Sequence, residues 1–474
     1  MPEPLTPDLC VIGAGAAGLA AATAAAALGV PVVLIEKGTV GGGRLNAGAP
    51  STALLAAAKR AALMREATPF GVGARYVDVD FKKVHEHVHG VIAGMARNDS
   101  VERLTALGVR VIRGGARFKD RRTVAVGDAF EIRARRFVIA TGSLPAIPAI
   151  PGLDGTFHFT GESIFKLTAL PKHLIVIGAG SAGLELAQAF RRLGSAVTVL
   201  DEAQPLADDD PECAAIAVTA LVREGVVIRS GVKFLKASGT TEKVQIVITA
   251  GTSEEIIEGT YLLIAAGRKP SMDGLDLDVA RIAHGPSGIK VNKALKTTNR
   301  RVYAVGDVIG QKQFTHAGQY HAGLAIRSAL FRQSVRVDND SIPRVTFTDP
   351  ELAQTGLTEA LARQRGIKIR VLRWPYFDND RALAERDTIG HIKIVTAKNG
   401  KILGATIVGA QAGELITAWT LAISQQLNIR AFTGIVVPYP TLSEIGKQAA
   451  LDVFAPSLTG TFVRRIMAWL RLLG

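Results

Sequence analysis

The chain has 474 residues, too many for one hydrophobic core, so about two to four domains are expected. With 48% hydrophobic and 21% charged residues it is not a disordered chain, and its two cysteines exclude a disulfide scaffold or a four-thiolate metal site. No basic segment precedes an apolar core at the N-terminus, so we expect a cytoplasmic protein. The net charge of +14 favours acidic partners, but a solvated basic surface is the simpler explanation, and without a matching motif nucleic-acid binding is not predicted.

Residues 9–35 contain no charged side chain and are long enough to resemble a membrane span. Several glycines and Pro31 interrupt the segment, however, and divide it into an apolar strand, a small-residue helix and a second apolar strand. We therefore interpret it as a buried β-α-β unit.

The same unit occurs twice. Strand 9–12 leads into one glycine motif, and strand 174–177 leads into another that lies 165 residues later. The glycines of such a motif permit a tight turn, the approach of backbone N–H groups to a pyrophosphate, and close helix–strand packing, while an acid ending the second strand binds ribose hydroxyls. The predicted cofactor-binding residues are Gly13, Gly15, Gly18 and Glu36 in the first copy, and Gly178, Gly180, Gly183 and Asp201 in the second.

Asp201 also bears on the choice of nucleotide. A carboxylate repels a 2′-phosphate, so the second site is predicted to prefer NADH. Arg191 and Arg192 would weaken this preference if they faced the nucleotide, although we interpret them as part of a solvated helix face. NADPH therefore stays an alternative.

The remaining chain continues this organisation. A strand at 137–140 precedes Thr141 and Gly142, and a proline-rich connector at 145–152 predicts a domain boundary. The second nucleotide-binding domain extends to about residue 275, and a mixture of strands and helices from about residue 344 indicates an α+β domain.

Two weaker signals remain. His85, His87 and His89 resemble a metal cluster, but only His85 and His89 share a helix face, so a solvated helix is favoured and no metal site is predicted. Residues 461–474 form a predicted amphipathic helix that is too short to span a bilayer. Packing against protein, within the chain or in a dimer, and peripheral docking on the inner face of a membrane are equally compatible with it.

The chain resembles the pyridine nucleotide-disulfide oxidoreductase family, and within it most closely mercuric reductases and dihydrolipoamide dehydrogenases. The similarity spans nearly the whole chain in the family's order. It rests on the two glycine motifs with Glu36 and Glu185, Gly41-Gly42 to Ser51, Ala140-Thr141-Gly142, Gly267-Arg268, Val305-Gly306-Asp307, Asn379 to Ala382, and Pro440 to Glu444.

This resemblance implies an α/β fold with two Rossmann-like dinucleotide-binding domains, for FAD and NAD, and a C-terminal α+β dimerisation domain that forms a homodimer. Asp307 would bond the ribityl chain of FAD, the Ala317 amide would face the flavin, and Gly267 would belong to the nucleotide site. Thr141 and Gly142 would also be cofactor-binding residues. The predicted domains are 1–150 (FAD, first part), 151–275 (NAD(P)), 276–343 (FAD, return segment), 344–460 (dimerisation) and 461–474 (C-terminal helix).

The sequence departs from the family where the redox cysteines stand. Arg44 takes the place of the first cysteine, the second is replaced by Ala49 or deleted, and Thr52 replaces a lysine. Thiol–disulfide exchange requires a thiolate, and we interpret Cys10 and Cys213 as packing residues. Our hypothesis is that Arg44 replaces the lysine as counter-charge of Glu185, beside the flavin.

A second departure agrees with the first. The disulfide reductases of the family place a histidine before Pro-Thr as the acid–base group, paired with a glutamate five positions on. Here Tyr439 takes its place while Glu444 remains, and a phenol seldom relays protons near neutral pH.

The sequence thus predicts an FAD-dependent NAD(P)H oxidoreductase that reduces a small non-disulfide acceptor: a quinone, metal ion, dye or oxygen. The predicted catalytic residues are Arg44, Glu185, Tyr439 and Glu444. The alternatives are a mercuric reductase or dihydrolipoamide dehydrogenase activity, and a catalytically silent nucleotide-binding sensor.

Overall fold

A computed structural model describes residues 4–73, 76–251, 253–453 and 461–472. The chain forms two compact units. The first comprises Met1–Ala179, Ala189–Glu202 and Gly231–Asn339; the second comprises Gly180–Gln188, Ala203–Ser230 and Asp340–Gly474.

The first part of the chain has the strand and helix order of an α/β fold, and the last part has that of an α+β domain. The strands are β1 (Leu9–Ile12), β2 (Val32–Glu36), β3 (Val109–Arg113), β4 (Ala116–Phe118), β5 (Val124–Val126), β6 (Phe130–Ile132), β7 (Arg136–Ile139), β8 (Ser143–Pro145), β9 (Phe159–Thr160), β10 (His173–Ile177), β11 (Ala196–Asp201), β12 (Val227–Ser230), β13 (Lys233–Gly239), β14 (Val244–Ala250), β15 (Ser253–Gly259), β16 (Tyr261–Ile264), β17 (Arg268–Pro270), β18 (His284–Gly285), β19 (Gly288–Ile289), β20 (Val302–Ala304), β21 (Arg344–Thr346), β22 (Glu351–Gly356), β23 (Ile369–Pro375), β24 (His391–Ala397) and β25 (Ile402–Gly409). The helices are α1 (Ala16–Ala27), α2 (Ala49–Arg65), α3 (Phe81–Ala96), α4 (Val101–Ala106), α5 (Ser181–Leu193), α6 (Pro211–Arg223), α7 (Thr315–Leu330), α8 (Glu359–Gln364), α9 (Asp380–Glu385), α10 (Ala412–Ser424), α11 (Arg430–Gly434), α12 (Glu444–Asp452) and α13 (Thr461–Leu470).

The first unit is built on two parallel sheets. One has the order β20–β7–β1–β2–β3, and the other contains β11–β10–β16–β9. Apart from polar residues at their ends, the central strands are apolar and buried, as expected for parallel strands that are covered on both faces. In the first sheet Leu9 pairs with Val32 on one side and with Arg136 on the other. The predicted α/β fold is confirmed.

Small residues allow α1 to approach its neighbours closely. Ten of its twelve residues are alanine or glycine, so the helix carries little side-chain bulk. A Cβ added at Gly318 of α7 would lie only 3.2 Å from Ala17 Cβ. This close packing positions the N-termini of both helices at the carboxyl edge of the first sheet.

The second unit contains a five-stranded antiparallel sheet in the order β21–β22–β25–β24–β23, with helices packed on it. Its core includes Trp419, stacked on Phe432 with ring centroids 4.1 Å apart. Lys393 on β24 is 5% exposed, and its ammonium group lies 2.8–3.0 Å from carboxylates of Asp210, Glu212 and Glu359. This buried lysine therefore ties α6 and the start of α8 to the sheet.

The predicted C-terminal helix is present as α13, and its side chains from Arg464 onward are exposed. The side chains of Thr461 and Phe462, and residues 473–474, lie outside the described part of the chain. Among the described residues, no helix is long and apolar enough to cross a bilayer.

Candidate active site

A cavity of about 720 Å³ lies at the carboxyl edge of the first sheet. Its walls come from the segments that follow β1, β2, β3, β7 and β20, which is where parallel α/β sheets bind ligands. The sequence-predicted residues that line it are Gly13, Gly15, Glu36, Arg44, Thr141, Gly142 and Asp307.

The glycines of the first motif are required by close backbone contacts. Gly13 has φ +101°, and a Cβ there would lie 2.5 Å from the Ala140 carbonyl oxygen. A Cβ at Gly18 would lie 1.8 Å from the Gly13 carbonyl oxygen. A Cβ at Gly15, by contrast, would approach no atom of the described residues within 4 Å, because this glycine faces the cavity. Where a pyrophosphate would lie, the cavity wall is therefore backbone without side chains. These residues fit FAD.

The two copies of the motif agree in their hydrogen bonds. Glu36 Oε2 accepts from the Ala14 amide at 2.6 Å, and Asp201 Oδ2 accepts from the Ala179 amide at 2.6 Å. Gly178 has φ +114°, and a Cβ there would lie 2.4 Å from a backbone oxygen just beyond the end of the neighbouring strand. Gly13 makes the same kind of close backbone contact. The repeat of 165 residues is therefore preserved in three dimensions.

A chain of polar side chains crosses the cavity wall beside Asp307. Ser143 Oγ donates to Asp307 Oδ2 at 2.6 Å, and Arg268 Nε donates to Ser143 Oγ at 2.7 Å. Arg268 also pairs with Glu162 at 2.6 Å. Since all four residues line the cavity, Arg268 and Ser143 hold the carboxylate that would meet the ribityl chain. Glu162 was missed by sequence reasoning because no motif marks it.

The remaining predicted cofactor residues support the walls. Thr141 Oγ donates to the Ser271 carbonyl at 2.6 Å, which fixes the turn after β7. Ala317 is buried in the first turn of α7, and Gly267, with φ +99°, immediately precedes the cavity residue Arg268.

Arg44 begins a wide π-helical turn, Arg44–Gly48, that leads directly into α2. Its guanidinium group forms an ion pair with Asp99, a buried residue at the end of the short helical turn that follows α3. Within the first unit the partner of Arg44 is thus Asp99, and its proposed role as counter-charge of Glu185, which belongs to the second unit, stays a prediction. Asp99 comes from 55 positions along the chain, and no local pattern pointed to it.

Glu185 lies in the second unit, on α5. Its Oε1 accepts a hydrogen bond from the Phe347 amide at 2.9 Å. Burial raises the pKa of this carboxyl to about 7, the Phe347 bond opposes that rise, and the nearby charge of Glu351 adds to it. The group therefore exchanges a proton near neutral pH.

Both cysteines have the character of packing residues. Cys10 is buried in β1 and Cys213 in α6, and both are free. Burial raises the pKa of each thiol above its ordinary value. Among the described residues, no cysteine lines the cavity.

Tyr439 is 72% exposed, and its hydroxyl donates to Asp380 Oδ2 at 2.7 Å. This hydrogen bond raises the pKa of the phenol. Glu444 begins α12 and accepts from the Thr441 amide at 3.3 Å. The structure thus gives Tyr439 an acidic partner, Asp380, that sequence reasoning did not assign to it.

The histidine segment is helical and lies on α3. His85 Nδ1 donates to the Leu167 carbonyl at 2.9 Å, and His89 Nε2 donates to the Phe165 carbonyl at 3.2 Å. The two histidines share a face, as predicted, but the face contacts protein rather than solvent alone. In the part of the chain that the structure describes, no group of three or more metal-ligating side chains was found.

Comparison with known protein families agrees with these features. Residues 7–322 match the model of the pyridine nucleotide-disulphide oxidoreductases, and residues 342–450 match the dimerisation domain of the same family. The chain belongs to the pyridine nucleotide-disulphide oxidoreductase family. Family members use FAD and NAD(P)H, and the dimerisation domain supports a homodimer.

Individual members of the family are similar over most of their length. A mercuric reductase of Bacillus cereus is 36% identical over 450 residues, which cover 94% of this chain and 71% of the relative. A dihydrolipoyl dehydrogenase of Staphylococcus aureus is 34% identical over 456 residues, covering 94% and 96%. The Cu(II) complex of RclA, an HOCl-induced flavoprotein disulfide reductase of Escherichia coli, superposes with a TM-score of 0.84 at 26% identity, covering 94% and 99%.

Proposed function

We propose that this family member is an FAD-dependent NAD(P)H oxidoreductase that reduces a non-disulfide acceptor. The observation that carries the proposal is Arg44. It stands where the family's first redox cysteine is expected, lines the cavity and is held by Asp99. With both cysteines buried and their thiol pKa values raised, no thiolate is available to relay electrons. Bound FAD would take up two electrons from the nicotinamide nucleotide and return them to the acceptor.

Arg44 has two tasks in this proposal. Its positive charge stabilises negative charge that develops on a neighbouring oxygen, and its N–H groups orient an acceptor that carries such oxygens. Asp99 is the positioning residue, because the ion pair restricts the rotamers of the guanidinium group. A quinone, whose carbonyl oxygens become anionic on reduction, is the acceptor that fits this chemistry best.

The other predicted catalytic residues handle protons. Glu185, with a pKa of about 7, gives or takes a proton at neutral pH. Tyr439, Asp380 and Glu444 form an acidic group in the second unit, where Tyr439 is exposed and able to meet a partner molecule. At the nucleotide site, the Asp201 carboxylate favours NADH over NADPH.

A divalent metal ion is the second candidate acceptor. The names of the relatives support it, since one is a mercuric reductase and another was solved as a Cu(II) complex. A disulfide substrate is disfavoured because Arg44 replaces the expected thiol.

The test is anaerobic stopped-flow reduction of the purified holoprotein by NADH, followed by mixing with one acceptor at a time. We expect bleaching of the flavin absorbance and rapid reoxidation by a quinone. Reoxidation by Hg²⁺ or Cu²⁺ alone would identify the second candidate. Absence of bleaching would identify a silent nucleotide-binding protein, and turnover with lipoamide would overturn the proposal. The Arg44→Met variant should bleach normally but reoxidise slowly.

We further propose that α13 docks on an anionic membrane surface, where a quinone would be available. Arg464 and Arg465 are the charged residues of α13, Arg471 directly follows it, and Ile466, Trp469 and Leu470 are 39–60% exposed. Flotation with phosphatidylglycerol vesicles should recover the full chain but not a variant that ends at residue 460. Equal recovery of the two would refute docking through this helix.

A further inference from the structure

Four arginines meet at the amino edge of the first sheet, opposite the cavity. Arg136 begins β7, and Arg301 directly precedes the neighbouring strand β20. The two strands are paired, with the Phe137 amide donating to the Arg301 carbonyl at 2.9 Å. Arg133 lies just before β7, where its amide donates to the Leu5 carbonyl at 2.8 Å.

A buried asparagine fixes the fourth arginine beside the others. Asn299 is 2% exposed, its Nδ2 donates to the Arg121 carbonyl at 3.0 Å, and its Oδ1 accepts from the Arg301 amide at 3.1 Å. The turn that carries Arg122 is thereby held against the start of β20. We name Arg122, Arg133, Arg136 and Arg301 the arginine face.

The charges of the arginine face repel one another. The pKa of Arg301 is lowered by partial burial and then by the charges of Arg122, Arg136 and Arg133. Two carboxylates lie close by. Asp8 is already paired with Arg135 at 2.7 Å, and Asp120 accepts from the Arg122 amide at 2.6 Å and interacts with the charge of Arg133.

None of the four guanidinium groups has a carboxylate within 4.0 Å in the part of the chain that the structure describes. The backbone bonds above hold the arginines together in spite of this repulsion. An anion bound among them would remove it.

We propose that the arginine face binds a soluble anion that carries several phosphate groups. Guanidinium groups donate paired N–H bonds that match phosphate oxygens, and four of them suit more than one phosphate. A phospholipid headgroup offers the same chemistry. Within 108–143 and 280–319 no large apolar side chain is exposed, and the exposed ones that directly flank these segments are the four separate residues Leu107, Leu144, Val279 and Tyr320. A bilayer would therefore gain little from apolar contact at the arginines themselves.

The test is calorimetric titration of the FAD-loaded protein with tripolyphosphate, and flotation with phosphatidylglycerol vesicles as a second arm. The variant is Arg122→Gln/Arg301→Gln. The control is Arg60→Gln/Arg110→Gln, which removes the same charge from exposed positions elsewhere in the first unit. We expect saturable binding that weakens about tenfold or more in the variant and less than about twofold in the control.

Several outcomes would overturn the proposal. They are no saturable binding, equal weakening in variant and control, or arginine-face-dependent binding to vesicles only. Flavin bleaching by NADH should be unchanged in both double variants, because the arginine face lies at the opposite edge of the sheet from the cavity. A failure of the proposed oxidoreductase function would therefore be seen separately from a failure of this site.

Discussion

Replacement of Glu185 by glutamine should stabilise the second unit in a pH-dependent way. The folded carboxyl has a pKa of about 7, against 4.5 for an ordinary glutamate, because burial penalises its charge. Glutamine keeps the shape and an acceptor for the Phe347 amide, but it never ionises.

The size of the effect follows from this shift. Below pH 4.5 both folded and unfolded chains are protonated, so wild type and variant should be about equally stable. Between pH 4.5 and 7 the unfolded chain loses its proton while the folded chain keeps it, so wild type loses stability relative to the variant. Above pH 7 the difference should level off at about 3 kcal/mol.

Tryptophan fluorescence provides the assay. All three tryptophans, Trp374, Trp419 and Trp469, belong to the second unit, as does Glu185. Urea unfolding of wild type and Glu185→Gln at a series of pH values therefore reports the unit that carries the substitution.

A matched control separates this effect from general removal of a carboxylate. Glu414→Gln, at an exposed position of the same unit, should show a small difference that does not grow between pH 4.5 and 7. If Glu185→Gln also showed a constant difference over that range, the half-buried Glu185 carboxyl would not titrate near neutrality and the reasoning would be wrong.

Three further predictions concern other groups. Arg44→Met removes a positive charge and should lower the flavin midpoint potential by about 30 mV, equal to about 1.4 kcal/mol for two electrons, whereas Asp99→Asn removes a negative charge and should raise it; unchanged potentials would place the guanidinium group away from the flavin. Ser143→Ala should weaken FAD binding about fivefold in titrations of the apoprotein, because Asp307 loses a 2.6 Å hydrogen bond, and equal affinity would contradict that role. Lys393→Met should destabilise the second unit by about 3 kcal/mol in urea, since it leaves the buried Asp210 carboxylate without its cation, whereas a loss below about 1 kcal/mol would mean that water or Arg373 replaces the ammonium group.

The two nucleotide motifs could be predicted from the sequence, whereas the ion pairs of Lys393 could not. The glycine motifs, their strands and their terminal acids follow from local rules, because turn geometry and hydrophobic period depend on adjacent residues. The second-unit ion network could not be anticipated, since Asp210 and Lys393 are 183 positions apart.

The sequence by itself determined the duplicated dinucleotide fold, the replacement of the expected thiols and the carboxylate of Asp201 at the end of the second strand of the second copy. Only the tertiary structure decided which polar and charged side chains meet: Arg44 with Asp99, Arg268 with Ser143 and Glu162, and the four arginines of the arginine face with one another. The physical reason is that two side chains interact according to the distance between them in space. The number of residues that separate them along the chain does not give that distance until the fold has brought their elements together.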